Sequence, residues 1–405
     1  MSRTDRALAY IPYGAYWSTP FTRWQGSFAQ LNSVEFAAHV TRKELAKRNI
    51  PGESFDLGVL GITVPQHHSF FGLPWFAGLA GMPGLAGPTL MQACATGVRC
   101  LSACADAVQT GAADAVLNVT CDRTSNGPHI YYPNPRGPGG TGGHEDWVLD
   151  NFGCDPLGGH AMIQTAENVA AKHGISTAEQ HEVVLRREEQ YRAALAEGAA
   201  FLKRFMTLPF EVPAPNFKKT ANTLEGDEGA GQSTAEGLAK LRPLQPNGTV
   251  TFGAQTHPAD GNAGIVVASE GKARELSQNS KIAVRLLGFG QARAPLAYMP
   301  EATVPAAREA LERAGLAISD LAAIKTHNPF ALNDIYFSRQ TGADLGKMNN
   351  YGSTLVWGHP QAPMGTRAVI ELIEELALRG GGRGLFTGCA AGDSAMSVVL
   401  EVGDA

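Results

Sequence analysis

Short apolar runs alternate with longer amphipathic stretches through most of the chain, and this alternation restricts the fold more than any other feature. A run of four to eight apolar residues between turn signals reads as a buried strand; apolar residues three and four apart read as one face of a helix. Strands alternating with helices build an α/β fold. The pattern predicts strands at 57–64, 90–93, 115–119, 265–268, 282–289, 321–326, 384–387 and 395–402. It predicts helices at 34–48, 97–110, 162–173, 177–197, 303–314, 332–341 and 367–378. Ser176 is placed to cap one helix and Gly315 to end another. Residues 122–155 are irregular and rich in Pro, Gly, Asn and aromatic residues, a loop long enough to have a functional use. Residues 203–250 read as mixed and loop-like.

Each half of the chain has a strand running into a cysteine inside a turn of small residues: Gln92-Ala-Cys-Ala-Thr-Gly97 and Thr387-Gly-Cys-Ala-Ala-Gly392. A duplicated unit would produce this, and 405 residues leave room for two or three domains. Charged residues are 18% of the total, below the ~25% of an average soluble protein, which fits a molecule that buries much of its surface. The net charge is −5, and the densest basic cluster, Arg42 to Arg48, is interrupted by Glu44 and reads as a solvated helix face, so no nucleic-acid partner is expected. The opening MSRTDRALAY lacks the apolar core of a leader, and residues 74–91 are broken by Pro83 and Pro88, so no membrane association and a cytoplasmic location are expected.

Six cysteines in a long chain of this kind do not suggest a disulfide framework. Cys100 and Cys104 have no histidine nearby, so no metal site is expected there and both read as packing. Cys94 differs, because it sits where a strand turns into a helix whose free N–H groups and dipole favour thiolate. His359 lies in Trp-Gly-His-Pro and His327 in Thr-His-Asn-Pro-Phe, both in turns where a histidine can act as base or oxyanion donor. Cys389 follows a strand and precedes Ala-Ala-Gly-Asp. In α/β sheets ligands gather beyond the carboxyl ends of strands, and two cysteines with two histidines so placed suit acyl transfer.

With these residues in view the chain resembles the thiolase family over nearly its whole length. The resemblance rests on Thr19-Pro-Phe-Thr-Arg23, Cys94, Thr165-Ala-Glu-Asn168, Asp227-Glu-Gly229, Leu238-Ala-Lys-Leu-Arg-Pro243, Asp260-Gly261, Ala310-Leu-Glu-Arg-Ala-Gly315, Gly358-His-Pro360 and Cys389, in family order. It implies two duplicated βαβαβαββ halves in a five-layered αβαβα arrangement with a loop-domain insertion. The divisions expected are 1–121 for the first part of the N-terminal half, 122–246 for the loop domain, 247–275 for the closing strand and 276–405 for the C-terminal half. It implies that Cys94 takes the acyl group, that His359 draws off its proton, and that Cys389 serves as the second acid and base. His327, where most thiolases carry Asn, would hold a water near the enolate oxygen. Backbone N–H groups of Cys94 and Ala391 would form an oxyanion hole, and Met162, Thr256, Pro329 and Phe330 would contact coenzyme A, a substrate here rather than a tightly bound cofactor.

The implied reaction is thiolytic cleavage of a 3-oxoacyl-CoA by a homodimer. The aromatic opening (Tyr10, Tyr13, Tyr16, Trp17, Trp24) and the 122–155 segment suggest an aromatic or branched acyl group. They resemble features of benzoylsuccinyl-CoA thiolases, which work with a small zinc-containing OB-fold subunit. Alternatives are a thiolase-like retro-aldolase using a tyrosine such as Tyr351, and a non-catalytic acyl-CoA-binding subunit. The sequence departs from the family at Gly253-Ala-Gln-Thr-His257, at Gln361-Ala-Pro-Met364 and at Asp393, which puts an acetoacetyl-CoA assignment in doubt.

Overall fold

The computed structural model describes residues 8–405; the reading of the extreme amino terminus lies, through residue 7, outside them. Nine strands form one hydrogen-bonded ladder: β1 (Ala9–Pro12), β2 (Leu57–Gly61), β3 (Thr89–Leu90), β4 (Ala115–Arg123), β5 (Ala259–Ala268), β6 (Ile282–Arg293), β7 (Ala323–His327), β8 (Gly382–Ala390) and β9 (Ser394–Asp404). Their order is β7-β8-β9-β6-β1-β5-β4-β2-β3. Within it the run β1-β5-β4-β2 is repeated as β6-β9-β8-β7. In each run the last pair is parallel and the others are antiparallel. The antiparallel contact of β1 with β6 joins the two runs. This repeat of order and direction is what the twin cysteine turns called for.

Helices place the two halves in five layers. Helix α1 (Ser33–Lys47) covers the outer face of the N-terminal half, against β4 and β5. Helix α2 (Thr96–Gln109) and helix α7 (Ala362–Leu378) pack together in the middle layer. Helix α5 (Thr303–Ala314) covers the outer face of the C-terminal half, against β6 and β9. The two middle helices meet closely at Gly97, where a Cβ would stand 2.6 Å from the Thr366 nitrogen, so only glycine fits. Helix α3 (Met162–His173) and helix α4 (Thr177–Ala199, with residues 196–198 out of helical geometry) belong to the inserted segment, and helix α6 (Leu332–Thr341) follows β7.

Helix α7 is buried over its first fifteen residues, charged ones included, so its charges must be paired. The wholly buried Arg367 guanidinium contacts the Asp227 carboxylate at 2.5 and 2.7 Å and Glu371 at 3.0 Å; Glu371 also pairs with Lys325 at 2.8 Å. Arg367 lies over the rings of Phe21 and Trp357, 4.7 and 4.6 Å from their centroids. Asp227 also accepts from the Phe21 backbone N–H and the Tyr191 hydroxyl, which ties the inserted segment to the central helix.

Several expectations need correction. The strand expected at 57–64 stops at Gly61, and that at 90–93 shrinks to Thr89–Leu90. The strand expected at 115–119 runs on to Arg123 although Thr120 and Asp122 are polar, because both are buried and hydrogen-bonded. Cys389 lies within β8 rather than after it. The irregular 122–155 stretch contains a hairpin, His129–Tyr132 with Gly143–Asp146, and a short helix, Leu149–Gly153. The 203–250 stretch holds a second hairpin, Phe210–Pro213 with Thr220–Leu224. Arg48 is not on a solvated face: it is buried and paired with Glu44 one turn back. Cys100 and Cys104 are buried, as packing requires, whereas Cys154 is exposed. Tyr16 and Trp17 belong to the core, Tyr16 donating to Glu374 at 2.6 Å. Among the described residues no helix is long and apolar enough to cross a membrane.

Candidate active site

Four chain segments bring the expected residues together. After β3 the chain leaves the sheet in a tight turn with Ala93 at φ +43°, a left-handed conformation that a non-glycine residue keeps only under constraint. Thr96 supplies the constraint: its hydroxyl donates to the Ala93 carbonyl at 2.7 Å and accepts from the Gln92 N–H at 2.8 Å. Cys94 is thereby held two residues ahead of α2, at the helix entry expected for it.

His359 comes from the turn before α7. Gly358, at φ +92°, lets the chain pass so close to its neighbour that a Cβ would stand 2.8 Å from both Ala259 and His257. A short parallel bridge fixes the turn: His359 N–H donates to the His257 carbonyl, and Ala259 N–H to the His359 carbonyl. Gln361 follows at φ +61°, anchored by Asp122, which accepts the next N–H, that of Ala362, at 2.9 Å. Asp122 also accepts the N–H groups of Thr63 and Val64 and the Thr63 hydroxyl, each at 2.8 Å.

These constraints put His359 Nε2 3.0 Å from the Cys94 sulfur. The same sulfur is 3.3 Å from Gln361 Oε1, and the backbone N–H groups of Ala391 and Cys94 lie near enough to favour its thiolate. His359 Nδ1 accepts from the Gln361 N–H at 3.2 Å, so the neutral ring in this state carries its proton on Nε2, facing the sulfur. On the other side, His327 Nδ1 is 2.9 Å from the Cys389 carbonyl. A carbonyl only accepts, so Nδ1 bears the ring proton and Nε2 keeps its lone pair, buried and without a partner among the described residues. The His327 and His359 ring centroids are 4.5 Å apart. Cys389 accepts from Asn333 Nδ2 at 3.2 Å.

Burial dominates the electrostatics. It pushes the Cys94 thiol up to about 12 despite the two N–H groups on it, so in the resting molecule desolvation overrides the helix-entry effect that pointed to a thiolate. Burial, followed by the nearby Cys94, raises Cys389 well above its usual range, with Asn333 opposing. Burial lowers His327 to about 4, and burial with the neighbouring His327 and His257 holds His359 well below the usual imidazole range. Burial lifts Asp122 to about 7 against the pull of its N–H donors. The centre is therefore neutral near pH 7, with two thiols and two neutral imidazoles. Ligand atoms of Cys94, His327 and His359 lie within 4.8 Å of one another, and these are the residues that could hold a soft cation.

Of the residues expected at coenzyme A, Thr256 donates to the Pro329 carbonyl through its N–H (2.7 Å) and to the Thr354 carbonyl through its hydroxyl (2.6 Å). Phe330 is buried in the core shared by the inserted segment and the C-terminal half, and Met162 packs against that core. Sequence reasoning missed Asn333 and Asp122, and noted His257 and Gln361 only within departures from the family. Asn333 had a signal, standing six residues after His327 at the start of a predicted helix. Asp122 was hidden because the strand carrying it was ended at Val119.

Comparison with known proteins identifies the family and the fold. The thiolase N-terminal domain pattern matches residues 15–271, and the thiolase C-terminal domain pattern matches residues 280–402. Acetyl-CoA acetyltransferase of Allochromatium vinosum is 28% identical over 387 residues, covering 93% of this chain and 95% of that protein. β-Ketoadipyl-CoA thiolase of Pseudomonas knackmussii is 28% identical over 396 residues, covering 95% of this chain and 96% of that protein. The crystal structure of human mitochondrial 3-ketoacyl-CoA thiolase superposes with a TM-score of 0.87 at 26% identity, over 98% of this chain and 99% of that one; its complex with CoA gives 0.86. The chain has the thiolase fold, and it belongs to the thiolase family of acyltransferases.

Proposed function

We propose that this chain catalyses CoA-dependent cleavage of a 3-oxoacyl-CoA through an acyl group held on Cys94. The observation that carries the reading is the Cys94 sulfur 3.0 Å from His359 Nε2, with the Ala391 N–H near enough to favour its thiolate. That places a nucleophile, a proton carrier and an oxyanion donor around one atom. In the proposed reaction Cys94 Sγ attacks the 3-oxo carbon and its proton passes to His359 Nε2. For this step the ring proton sits on Nδ1, so the contact with the Gln361 N–H opens. The bond between C2 and C3 breaks, its electron pair goes to C2 as an enolate, and Cys389 gives that carbon its proton. Coenzyme A then loses its thiol proton to the Cys389 thiolate and attacks the acyl carbonyl, and Cys94 leaves with the proton from His359.

The acyl oxygen is held by the N–H groups of Cys94 and Ala391. The enolate oxygen is held by His359 Nε2–H and by a water whose other hydrogen bond goes to the free His327 Nε2. Asn333 lowers the cost of a thiolate on Cys389. We assign coenzyme A to the groove near Met162, Thr256, Pro329 and Phe330, as substrate rather than resident cofactor. The chain divides into 1–121, 122–246, 247–275 and 276–405 on the same reading. A homodimer is supported by β3, whose outer edge is unpaired and followed by the exposed Met91.

The narrower assignment, a benzoylsuccinyl-CoA type of subunit with a small zinc-containing OB-fold partner in the cytoplasm, rests on resemblance alone. Its aromatic signal is weakened because Tyr16 and Trp17 are buried in the core. The lyase reading would use Tyr351, whose ring stacks on Phe201 at 3.9 Å. The test is a cleavage assay across 3-oxoacyl-CoAs of different size with Cys94→Ala alongside. Turnover that depends on CoA and falls at least about a thousandfold in the variant is expected. No turnover by the parent, or equal turnover by the variant, contradicts the reading.

A further inference from the structure

Gln361 is a polar side chain at the nucleophile to which the proposed reaction gives no task. It is 6% exposed, and its Oε1 stands 3.3 Å from the Cys94 sulfur. Oε1 and Nε2 share one carbon, so amide geometry keeps Nε2 within roughly 5.6 Å of that sulfur. Nε2 is buried and has no hydrogen-bond partner among the described residues. The turn is held beside the residue: the next N–H, that of Ala362, is pinned to Asp122. A buried donor left unsatisfied costs about 1–3 kcal/mol, so such a group is retained where something satisfies it. In the proposed reaction the carbonyl oxygen of an acyl group on Cys94 takes the N–H groups of Cys94 and Ala391 as its two donors. The carboxamide therefore calls for a second acceptor, close to the acyl carbonyl.

We propose that Gln361 is a specificity-determining residue, its Nε2 donating a hydrogen bond to an oxygen that the transferred acyl group carries within two or three carbons of its carbonyl. The acyl groups this site takes best are then oxygenated ones, hydroxyacyl or carboxyacyl, and a plain alkyl chain leaves the donor unpaired. This inference rests on the thiolase reading. A site built around a hydrogen bond rejects the analogue lacking it more strongly than an apolar pocket rejects an added hydroxyl.

The experiment uses the full chain and three four-carbon acyl-CoAs: butanoyl-CoA, 3-hydroxybutanoyl-CoA and succinyl-CoA. Acylation of Cys94 is followed by intact mass and by CoA release. The wild type should be acylated at least about tenfold faster by one of the two oxygenated acyl-CoAs than by butanoyl-CoA, and Gln361→Met, similar in shape but without the donor, should bring that ratio below about threefold. Gln361→Glu keeps the shape and replaces the donor with a carboxylate. It should lower the ratio of succinyl to 3-hydroxybutanoyl labelling at least about tenfold, and it serves if the Met variant does not fold. Equal labelling of the wild type by all three, or a preference that survives both variants, overturns the role of Gln361 and leaves the thiolase reading standing. No acylation of Cys94 by any of the three overturns the thiolase reading itself, and this inference with it.

Discussion

Replacing Asp227 by Asn tests how the inserted segment is fastened to the helix that leads away from His359. The side chains of Arg367, Asp227 and Glu371 are wholly buried and that of Lys325 nearly so, and together they carry two positive and two negative charges. Asp227→Asn leaves one carboxylate, Glu371, between two cations, with a net charge of +1 in the interior. Removing one partner of a buried pair costs about 3–5 kcal/mol because the remaining charge is uncompensated. At about 2.1 cal/mol/K per residue, a chain of 405 residues has an unfolding entropy near 0.85 kcal/mol/K, so the expected fall in Tm is roughly 4–6 °C. The assay is thermal unfolding followed by circular dichroism. Adding Lys325→Met returns the cluster to one cation and one anion, and the double variant should be more stable than the sum of the single effects by about 1–2 kcal/mol. A fall below about 1 °C for the single variant, or simple additivity in the double, would refute the argument that this cluster is held by charge balance.

Two further predictions concern protons. With the Cys94 thiol raised to about 12, alkylation of the resting enzyme by iodoacetamide at this residue should rise about tenfold per pH unit from pH 7 to 10. Levelling off near pH 8.5 would mean an unperturbed thiol. Asp122, raised from 3.8 to about 7, binds its proton more tightly folded than unfolded. Its contribution to stability is thus present below pH 4 and lost as pH rises through 7, by up to about 4 kcal/mol. Asp122→Asn should flatten the pH dependence of the urea midpoint across this range while losing the bond to the Ala362 N–H; an unchanged slope would show that Asp122 does not titrate there.

Much of the fold could be read from the residues, and the exceptions have physical reasons. The helices at Met162–His173, Thr303–Ala314 and Leu332–Thr341 fall where apolar spacing and end signals put them, and Gly315 adopts the left-handed geometry that ends a helix. Ser176 caps α4 with a full capping box. Strand ends were harder. Strand β4 carries Asn118, Thr120 and Asp122, polar residues that sequence patterning places in loops but that burial and tertiary hydrogen bonds hold in the sheet. Helix α7 begins at Ala362, five residues before the start predicted at 367; the prediction is late because Pro363 and Gly365 look like turn residues, and the close approach of Gly97 to Ala362, Gly365 and Thr366 explains why those three are small. At the site, Cys94, His359, His327 and Cys389 stood out because each lies in a recognisable turn or strand end. Asp122 acts through Thr63, Val64 and Ala362, all far away in sequence, so spacing carries no mark of it.

The central claim is a covalent acyl group on Cys94. The most direct measurement is peptide mass mapping of enzyme mixed with a 3-oxoacyl-CoA in the absence of free CoA and quenched within the first turnover. The account predicts an acyl mass on the peptide containing Cys94, lost on adding CoA and absent from Cys94→Ala. An acyl mass found only on the exposed Cys154, or on no cysteine while substrate is consumed, would contradict it.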